Sequence, residues 1–322
     1  MRDQFLSFIK NKASIDSDFI LLTADLGFGV FEEFEKLYPK QFFNVGVAEQ
    51  LMTSLACGLA HEGFNLVTYS IGNFPTLRCL EQIRNDIIYH DSNVKIVTSG
   101  AGFSYGSLGM SHHATEDIGI IRSLPKTLIF SPASSFECKF LLNIFFEQEG
   151  VGYLRLDKTS SNLVPNKIEN NLNPVLYHHG KRSSILFLSH GSTLSLYEEI
   201  IADESITQNI TVASVPFLAR TEYLVNLIQE HDYVITTEEH QLSCGFGSFI
   251  AEIILDQSLD NKLYRFWIKG YLLRTCWIPI ISSIKVFTFC CRVKKKSCRS
   301  NFELRFLYKN SIKVFKGVII FS

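Results

Sequence analysis

Asn44-Val45-Gly46-Val47-Ala48-Glu49-Gln50 sets one carboxylate where a strand-like run, Phe42, Phe43 and Val45, passes into a helix-like one. Leu51, Met52, Leu55, Ala56 and Leu59 recur at helical spacing, and Gly63 follows as a stop signal, so the segment predicts a helix opening at Glu49 and ending near His61. Such a carboxylate reads in two ways. In a first helical turn it complements the helix dipole and need do nothing more; an acid at a strand-to-helix junction can also do chemistry. The surrounding pattern decides the fold. Short β-rich runs alternate with longer helical ones, as parallel strands joined by crossover helices require.

Strands are expected at 19–23, 66–69, 94–98, 127–131 and 151–156, and helices at 30–38, 49–61, 76–89, 116–123 and 134–147. That describes one doubly wound domain over 1–165. Residues 166–180, following Asn162 and Pro165 and holding Asn166, Asn170, Asn171, Asn173 and Pro174, lack periodicity and read as a linker. The alternation resumes over 181–265, with strands at 185–188, 210–214 and 233–237 and helices at 193–202, 222–229 and 248–255. The fold class is therefore α/β, with two doubly wound domains, the second smaller.

With 322 residues, 46% hydrophobic and 20% charged, the chain has material for two full cores and excludes disorder. Arg2, Asp3, Lys10 and Lys12 interrupt the apolar residues of the amino terminus, unlike a signal peptide. No uncharged run reaches membrane-spanning length. Only Cys57, Cys79, Cys138 and Cys244 precede residue 265, without paired spacing, which points to reduced thiols and a cytoplasmic protein. The net charge of −1 conceals a division: residues 1–264 carry 18 basic and 31 acidic side chains, residues 265–322 carry 13 and 1. The last stretch also holds Cys276, Cys290, Cys291, Cys298 and both tryptophans, Trp267 and Trp277.

A second motif lies about sixty residues beyond the first: Gly106-Ser107-Leu108-Gly109-Met110-Ser111-His112-His113-Ala114-Thr115-Glu116-Asp117. Glycines free such a loop from helix constraint, and imidazoles exchange protons near neutral pH. Adjacent histidines rarely converge on one metal and no third ligand is apparent, so no metal site is read here. Together with Gly58, Gly63 and Phe74 before Glu81-Gln82-Ile83-Arg84, the two motifs resemble the pyrimidine-binding half of transketolases over roughly residues 15–160. A weaker continuation, through Ser189-His190-Gly191-Ser192, Glu238-Glu239-His240 and Gly245-Phe246-Gly247-Ser248, resembles that family's C-terminal domain.

The resemblance implies thiamine diphosphate as cofactor. Its aminopyrimidine must be driven into the imino form by a carboxylic acid that shares a proton with the ring, and the resemblance gives that role to Glu49. The family's aromatic wall falls on Ile71 and Phe74, Ile71 keeping apolar contact without ring stacking; Phe74 can equally be a core residue. Asp25 matches an acid lining the cofactor cleft, or else is a strand-end turn residue. His112 matches a substrate-contacting histidine, with His113 beside it, against the plainer reading of both as exposed loop residues. Arg155 matches an arginine that receives a substrate phosphate, against a surface Arg at a strand end. Leu108 departs from the family, which has there an acid that binds a sugar hydroxyl.

The Gly-Asp-Gly motif that holds Mg²⁺ and diphosphate in full-length transketolases is missing from this sequence. The resemblance therefore implies the C-terminal subunit of a split transketolase, transferring a two-carbon ketol unit between sugar or sugar-phosphate substrates. It needs an N-terminal subunit that holds Mg²⁺, in an expected dimer of heterodimers, with neither nucleic acid nor membrane as partner. The alternatives are the β subunit of a 2-oxo acid dehydrogenase, a deoxyxylulose-phosphate-synthase-like enzyme, or a non-catalytic partner subunit. The resemblance stops at Arg265, and residues 266–322 read as an atypical basic, Cys-rich tail. A reading-frame shift is one account of it, since codons for Phe266-Trp267-Ile268-Lys269 read one base on can give the family's expected ending.

Overall fold

The structure is a computed structural model of the chain and describes residues 1–181, 183–204, 206–267, 287–291 and 304–308. The first domain is built on six strands, β1 (Phe19–Thr23), β2 (Phe42–Asn44), β3 (Asn65–Ile71), β4 (Val94–Ser99), β5 (Leu128–Phe130) and β6 (Gly152–Leu156). They pair in parallel throughout, in the order β2-β1-β3-β4-β6-β5. Every residue of β1 and of β6 is buried, which is why both read as unbroken apolar-rich runs: a parallel strand is covered on both faces. Around the sheet lie α1 (Arg2–Ile15), α2 (Glu32–Leu37), α3 (Glu49–His61), α4 (Leu80–Gln82), α5 (Asp117–Arg122) and α6 (Ser135–Glu147).

Helix α3 has the bounds its periodicity predicts. The helix expected over 76–89 begins later, at Leu80, and passes at Ile83–Ile88 into a π-helical segment. Helix α1 went unread in the sequence, where the amino terminus told only against a signal peptide; Phe5, Ile9 and Ala13, four apart, form its buried stripe. Phe5 stacks on Tyr69 of β3, ring centroids 6.1 Å apart.

The second domain contains β7 (Val175–His179), β8 (Ile185–Ser189), β9 (Ile210–Ser214), β10 (Tyr233–Glu238) and β11 (Lys262–Trp267), in the order β11-β10-β8-β9-β7. Its helices are α7 (Glu198–Ala202), α8 (Glu222–Gln229) and α9 (Phe246–Asp256), and the helix expected from 193 begins as a 3₁₀ segment, Gly191–Tyr197. Two expectations change here. Part of the segment read as linker is β7, which pairs antiparallel with β9 and makes this sheet mixed. The last strand, β11, runs two residues past Arg265 and pairs along the whole of β10. Beyond it, β12 (Phe287–Cys291) and β13 (Leu304–Tyr308) pair antiparallel; the remaining expectations for 266–322 fall outside the described residues.

One core joins the domains. Phe130 of β5 stacks on Phe217 of the second domain with centroids 4.5 Å apart, inside a cluster of buried residues drawn from both sheets; each domain also has a buried cluster of its own. Among the described residues no helix is long and apolar enough to cross a membrane, and Cys57, Cys79, Cys138 and Cys244 are free thiols.

Candidate functional site

Because the first sheet is parallel, the segments leaving β1, β2, β3 and β4 emerge at one edge, the carboxyl edge where open α/β sheets bind ligands. Asp25, Glu49, Ile71, Phe74, His112 and His113 all lie on these segments. The edge is pinned by Asn44, whose Oδ1 accepts from the amides of Asp25 (2.9 Å) and Gly46 (3.0 Å). Gly46 takes φ +74°, which turns the chain into α3, and Asp25 also sits in the left-handed region at φ +54°.

Glu49 opens α3 and is 3% exposed. A carboxylate so deep requires a partner. Arg78 supplies it, with Nη1 2.6 Å from Oε2, while the arginine side chain remains 46% exposed. The same guanidinium lies 4.8 Å from the centroid of the Phe74 ring. Phe74 in turn meets His112 edge-on, centroids 5.2 Å apart. A backbone turn, with the Phe74 amide donating to Ile71 O at 2.9 Å, keeps the half-buried Ile71 and Phe74 together. Asn73 Nδ2 donates to Ser111 O at 2.9 Å, tying this turn to the histidine loop. Acid, aromatic wall and imidazole thus form a continuous series.

The loop itself is closed at its base by an antiparallel bridge, Gly102 to Ala114, with hydrogen bonds of 3.1 and 2.9 Å. His113 packs on Phe103 at 5.0 Å, and Ser111 Oγ lies 3.0 Å from His112 Nδ1. Leu108 and Met110 are exposed beside them.

Arg155 is not brought to this surface. It is buried on β6, with Nε 2.6 Å from Asp117 Oδ2 and Nη2 donating to Ala114 O at 2.8 Å. The Tyr153 hydroxyl donates to the same Asp117 oxygen at 2.7 Å, and burial together with that carboxylate holds the phenol protonated far above its ordinary range. This fork is spent on the protein's own carboxylate and carbonyl, so in this arrangement it braces the histidine loop from below and does not present itself to a phosphate. On the other side of the histidine loop the exposed Lys158 places its Nζ 3.4 Å from the Tyr105 ring centroid, and Tyr105 lies 6.3 Å from His112.

Three residues escaped the sequence reading: Asn44, Arg78 and Lys158. The partners of Arg78 and Lys158 lie 29 and 53 residues away, and no local spacing announces them. Asn44 alone carried a signal, as an Asn directly before a Gly-containing turn.

A buried carboxylate joined through Arg78 to an aromatic ring suits a flat nitrogen heterocycle: the acid would meet a ring nitrogen and Phe74 a ring face. The residues present therefore fit the aminopyrimidine half of a thiamine cofactor. Among the described residues no group of three or more His, Cys, Asp or Glu side chains is placed to hold a metal.

The class these features define is a cofactor-ring-binding α/β enzyme subunit. The chain belongs to the transketolase family: the description "Transketolase, pyrimidine binding domain" matches residues 1–162, and a pyrimidine-binding domain implies thiamine diphosphate. An apulose-4-phosphate transketolase subunit from Actinobacillus succinogenes is 33% identical over 279 residues, 82% of this chain and 85% of that protein. A putative transketolase C-terminal section from Methanocaldococcus jannaschii is 31% identical over 78% of this chain and 80% of its own length. Among solved structures, a split-gene transketolase described as an inactive β4 tetramer superposes with TM-score 0.73 at 25% identity, covering 85% of this chain and 90% of that one. Transketolase from Campylobacter jejuni shares the fold, with TM-score 0.69 at 17% identity, covering 84% of this chain and 42% of that one.

Proposed function

We propose that the chain is the C-terminal, ring-binding subunit of a split transketolase that moves a two-carbon ketol unit between sugar phosphates, with Glu49 as the acid that acts on the aminopyrimidine. The observation that carries this is the buried Glu49 carboxylate in series with Phe74 and His112. Thiamine diphosphate supplies the carbon nucleophile. This chain's residues do the rest: Glu49 shares a proton with a ring nitrogen, Phe74 and Ile71 exclude water from the ring, and Asp25 lines the cleft. His112 and His113 hold or move protons at sugar hydroxyls. Lys158, exposed over Tyr105, is a cation available to a phosphate, and Arg155 keeps the loop in place.

Diphosphate and Mg²⁺ are assigned to a second, N-terminal-type subunit. Val47, Leu51 and Leu55, exposed around the start of α3, and Leu77 beside Arg78 supply apolar surface for it to cover. Relatives named as a transketolase subunit and as a C-terminal section support a two-chain enzyme. A dimer of heterodimers is the assembly we assign; the mass of the mixed complex in solution checks it. A deoxyxylulose-phosphate-synthase-like activity is the second reading, since that enzyme from Syntrophomonas wolfei is 26% identical over 80% of this chain but 41% of its own length. The paired histidines in a glycine-rich loop favour transketolase.

The deciding experiment is Glu49→Gln in the assembled enzyme. Assembly should be retained and exchange of the cofactor's thiazolium C2 proton slowed by about two to four orders of magnitude, the scale of a positioned acid-base group. Near-normal exchange would remove Glu49 from the mechanism.

A further inference from the structure

The loop that carries His112 and His113 belongs to the first domain, yet both its roots are gripped by the second. At the incoming root, the side chain of Glu239 packs directly on Gly102, so closely that a Cβ there would overlap Glu239 Oε2, and the Phe103 amide faces the same carboxylate. At the outgoing root, the Gln241 amide donates to Thr115 O at 2.8 Å, and Gln241 Nε2 donates to Thr115 Oγ1 at 3.2 Å. Two residues of one short segment after β10 therefore hold the two ends of the loop.

The neighbourhood reinforces the grip. Asp157, at the end of β6, accepts from Ser104 Oγ inside the loop and from Ser192 Oγ of the second domain. Just beyond the loop, Arg122 of α5 donates to Cys244 O at 2.8 Å and Gly245 O at 3.2 Å, and pairs with Glu252 of α9 at 2.5 Å. Gly119 of α5 would put a Cβ 3.0 Å from that of Cys244. The loop and the helix after it thus lie between the two domains. Burial, and after it the adjacent Asp157 carboxylate, push Glu239 up to about 7.

We infer that the second domain serves the transfer reaction as a clamp, with Glu239 and Gln241 as positioning residues that fix His112 and His113 against the Phe74 turn. The inference rests on the histidine loop facing substrate. Positioning carries large leverage, because a displacement of about 1 Å in a reacting group can cost about a hundredfold in rate. Sequence distance hides the device: Gly102 and Glu239 are 137 positions apart, and neither belongs to a catalytic motif.

Two readouts test it in the chain assembled with its partner. In the first, the imidazole NMR signals of His112 and His113 are followed in ¹⁵N-histidine-labelled protein. Glu239→Ala and Gln241→Ala should shift and broaden both, and Glu239→Gln, which keeps an acceptor for Phe103, should restore them. Gly102→Ala, whose methyl displaces Glu239, should reproduce Glu239→Ala. In the second, turnover with apulose 4-phosphate as the donor probe should fall about tenfold to a hundredfold in kcat for Glu239→Ala and Gln241→Ala. Thiamine diphosphate affinity and C2 proton exchange should stay unchanged, and Glu239→Gln should recover the rate. Unmoved histidine signals in folded Glu239→Ala protein overturn the clamp, as does a loss that Glu239→Gln fails to rescue. Absent C2 exchange in the unaltered enzyme sinks the transketolase reading instead, and the histidine signals still decide the clamp.

Discussion

In the role proposed for it Glu49 must be buried to act on a ring, and a buried carboxylate must have a partner until a ring arrives. Arg78 meets the second need and obstructs the first: its Nη1 occupies the oxygen side that a ring nitrogen would approach, 2.6 Å from Oε2. Since the arginine side chain is 46% exposed, it can leave without breaking the core. Arg78→Met should therefore lower the stability of the isolated chain by about 1–3 kcal/mol, less than for a fully buried pair because the guanidinium is half solvated. It should also enlarge the melting-temperature gain that thiamine diphosphate produces in the assembled enzyme, since the cofactor then relieves an unpaired acid. Differential scanning calorimetry with and without cofactor reads both effects, and an unchanged gain would show that Arg78 does not compete. His112→Ala should reduce turnover far more than cofactor affinity, because His112 meets Phe74, which in turn borders the Arg78–Glu49 pair; steady-state kinetics beside calorimetric titration separates the two. These residues were partly legible. Glu49, Phe74 and His112 announce themselves by local motif, whereas the pairing of Arg155 with Asp117 crosses 38 positions, and without it a strand-end arginine reads as a surface group.

At the scale of elements, legibility followed periodicity. Helix α3, with its full apolar stripe, and strands β1 and β9, with their apolar runs, could be bounded from sequence. Strand β7 could not, because five residues holding His178 and His179 follow an Asn-rich stretch, and what makes them a strand is the antiparallel ladder to β9, a tertiary fact. The seam between β7 and α6 carries a consequence of its own. Ser134 caps α6 by accepting from the Glu137 amide at 3.2 Å, and Glu137 accepts from Ala133 N at 2.6 Å and from the Tyr177 hydroxyl at 2.9 Å. Burial, outweighing these bonds, pushes Glu137 up to about 7. A folded-state pKa raised above the ordinary 4.5 gives stability that is complete below about 4.5 and is lost as pH rises through about 7. His190, taken down to about 3 mainly by burial, does the opposite: its contribution is complete above about 6.5 and is lost as pH falls. Urea unfolding from pH 5 to 8 should show the Glu137 slope, at most about 1.4 kcal/mol per pH unit for one proton. Glu238 and Glu239 are pushed up to about 7 as well, so Glu137→Gln should lessen the slope by its own one-proton share, and an unchanged slope would place the titration elsewhere.

For the whole molecule, the question is where the folded unit ends. Residues 1–264 carry 18 basic and 31 acidic side chains against 13 and 1 in 265–322, so the composition changes close to Arg265. The hydrogen-bonded sheet does not end there. β11 pairs with β10 through Phe266 and Trp267, opposite Thr237 and Glu238, and Phe266 packs against the core that both domains share. Those last pairs also border the segment holding Glu239 and Gln241, so the sheet edge and the loop clamp are adjacent in the chain. A chain ended at Trp267 should keep both sheets and, freed of the apolar runs Ile278-Pro279-Ile280-Ile281 and 286–291, should stay soluble at higher concentration. Ended at Arg265, it should lose two ladder pairs and the half-buried Phe266 ring, about 1–2 kcal/mol of apolar burial. That loss corresponds to about 2–4 °C in melting temperature for a unit of this size if the two domains unfold together. They should, because Phe130 and Phe217 stack across the boundary and the cluster around them draws buried residues from both domains, beside the separate cluster that each domain keeps. Calorimetry of the two truncated chains is the test: a single transition in each, the shorter one lower, is the expected result. Two separate transitions would deny the shared core, and failure of the Trp267-ended chain to fold would make the basic tail a structural part of the protein.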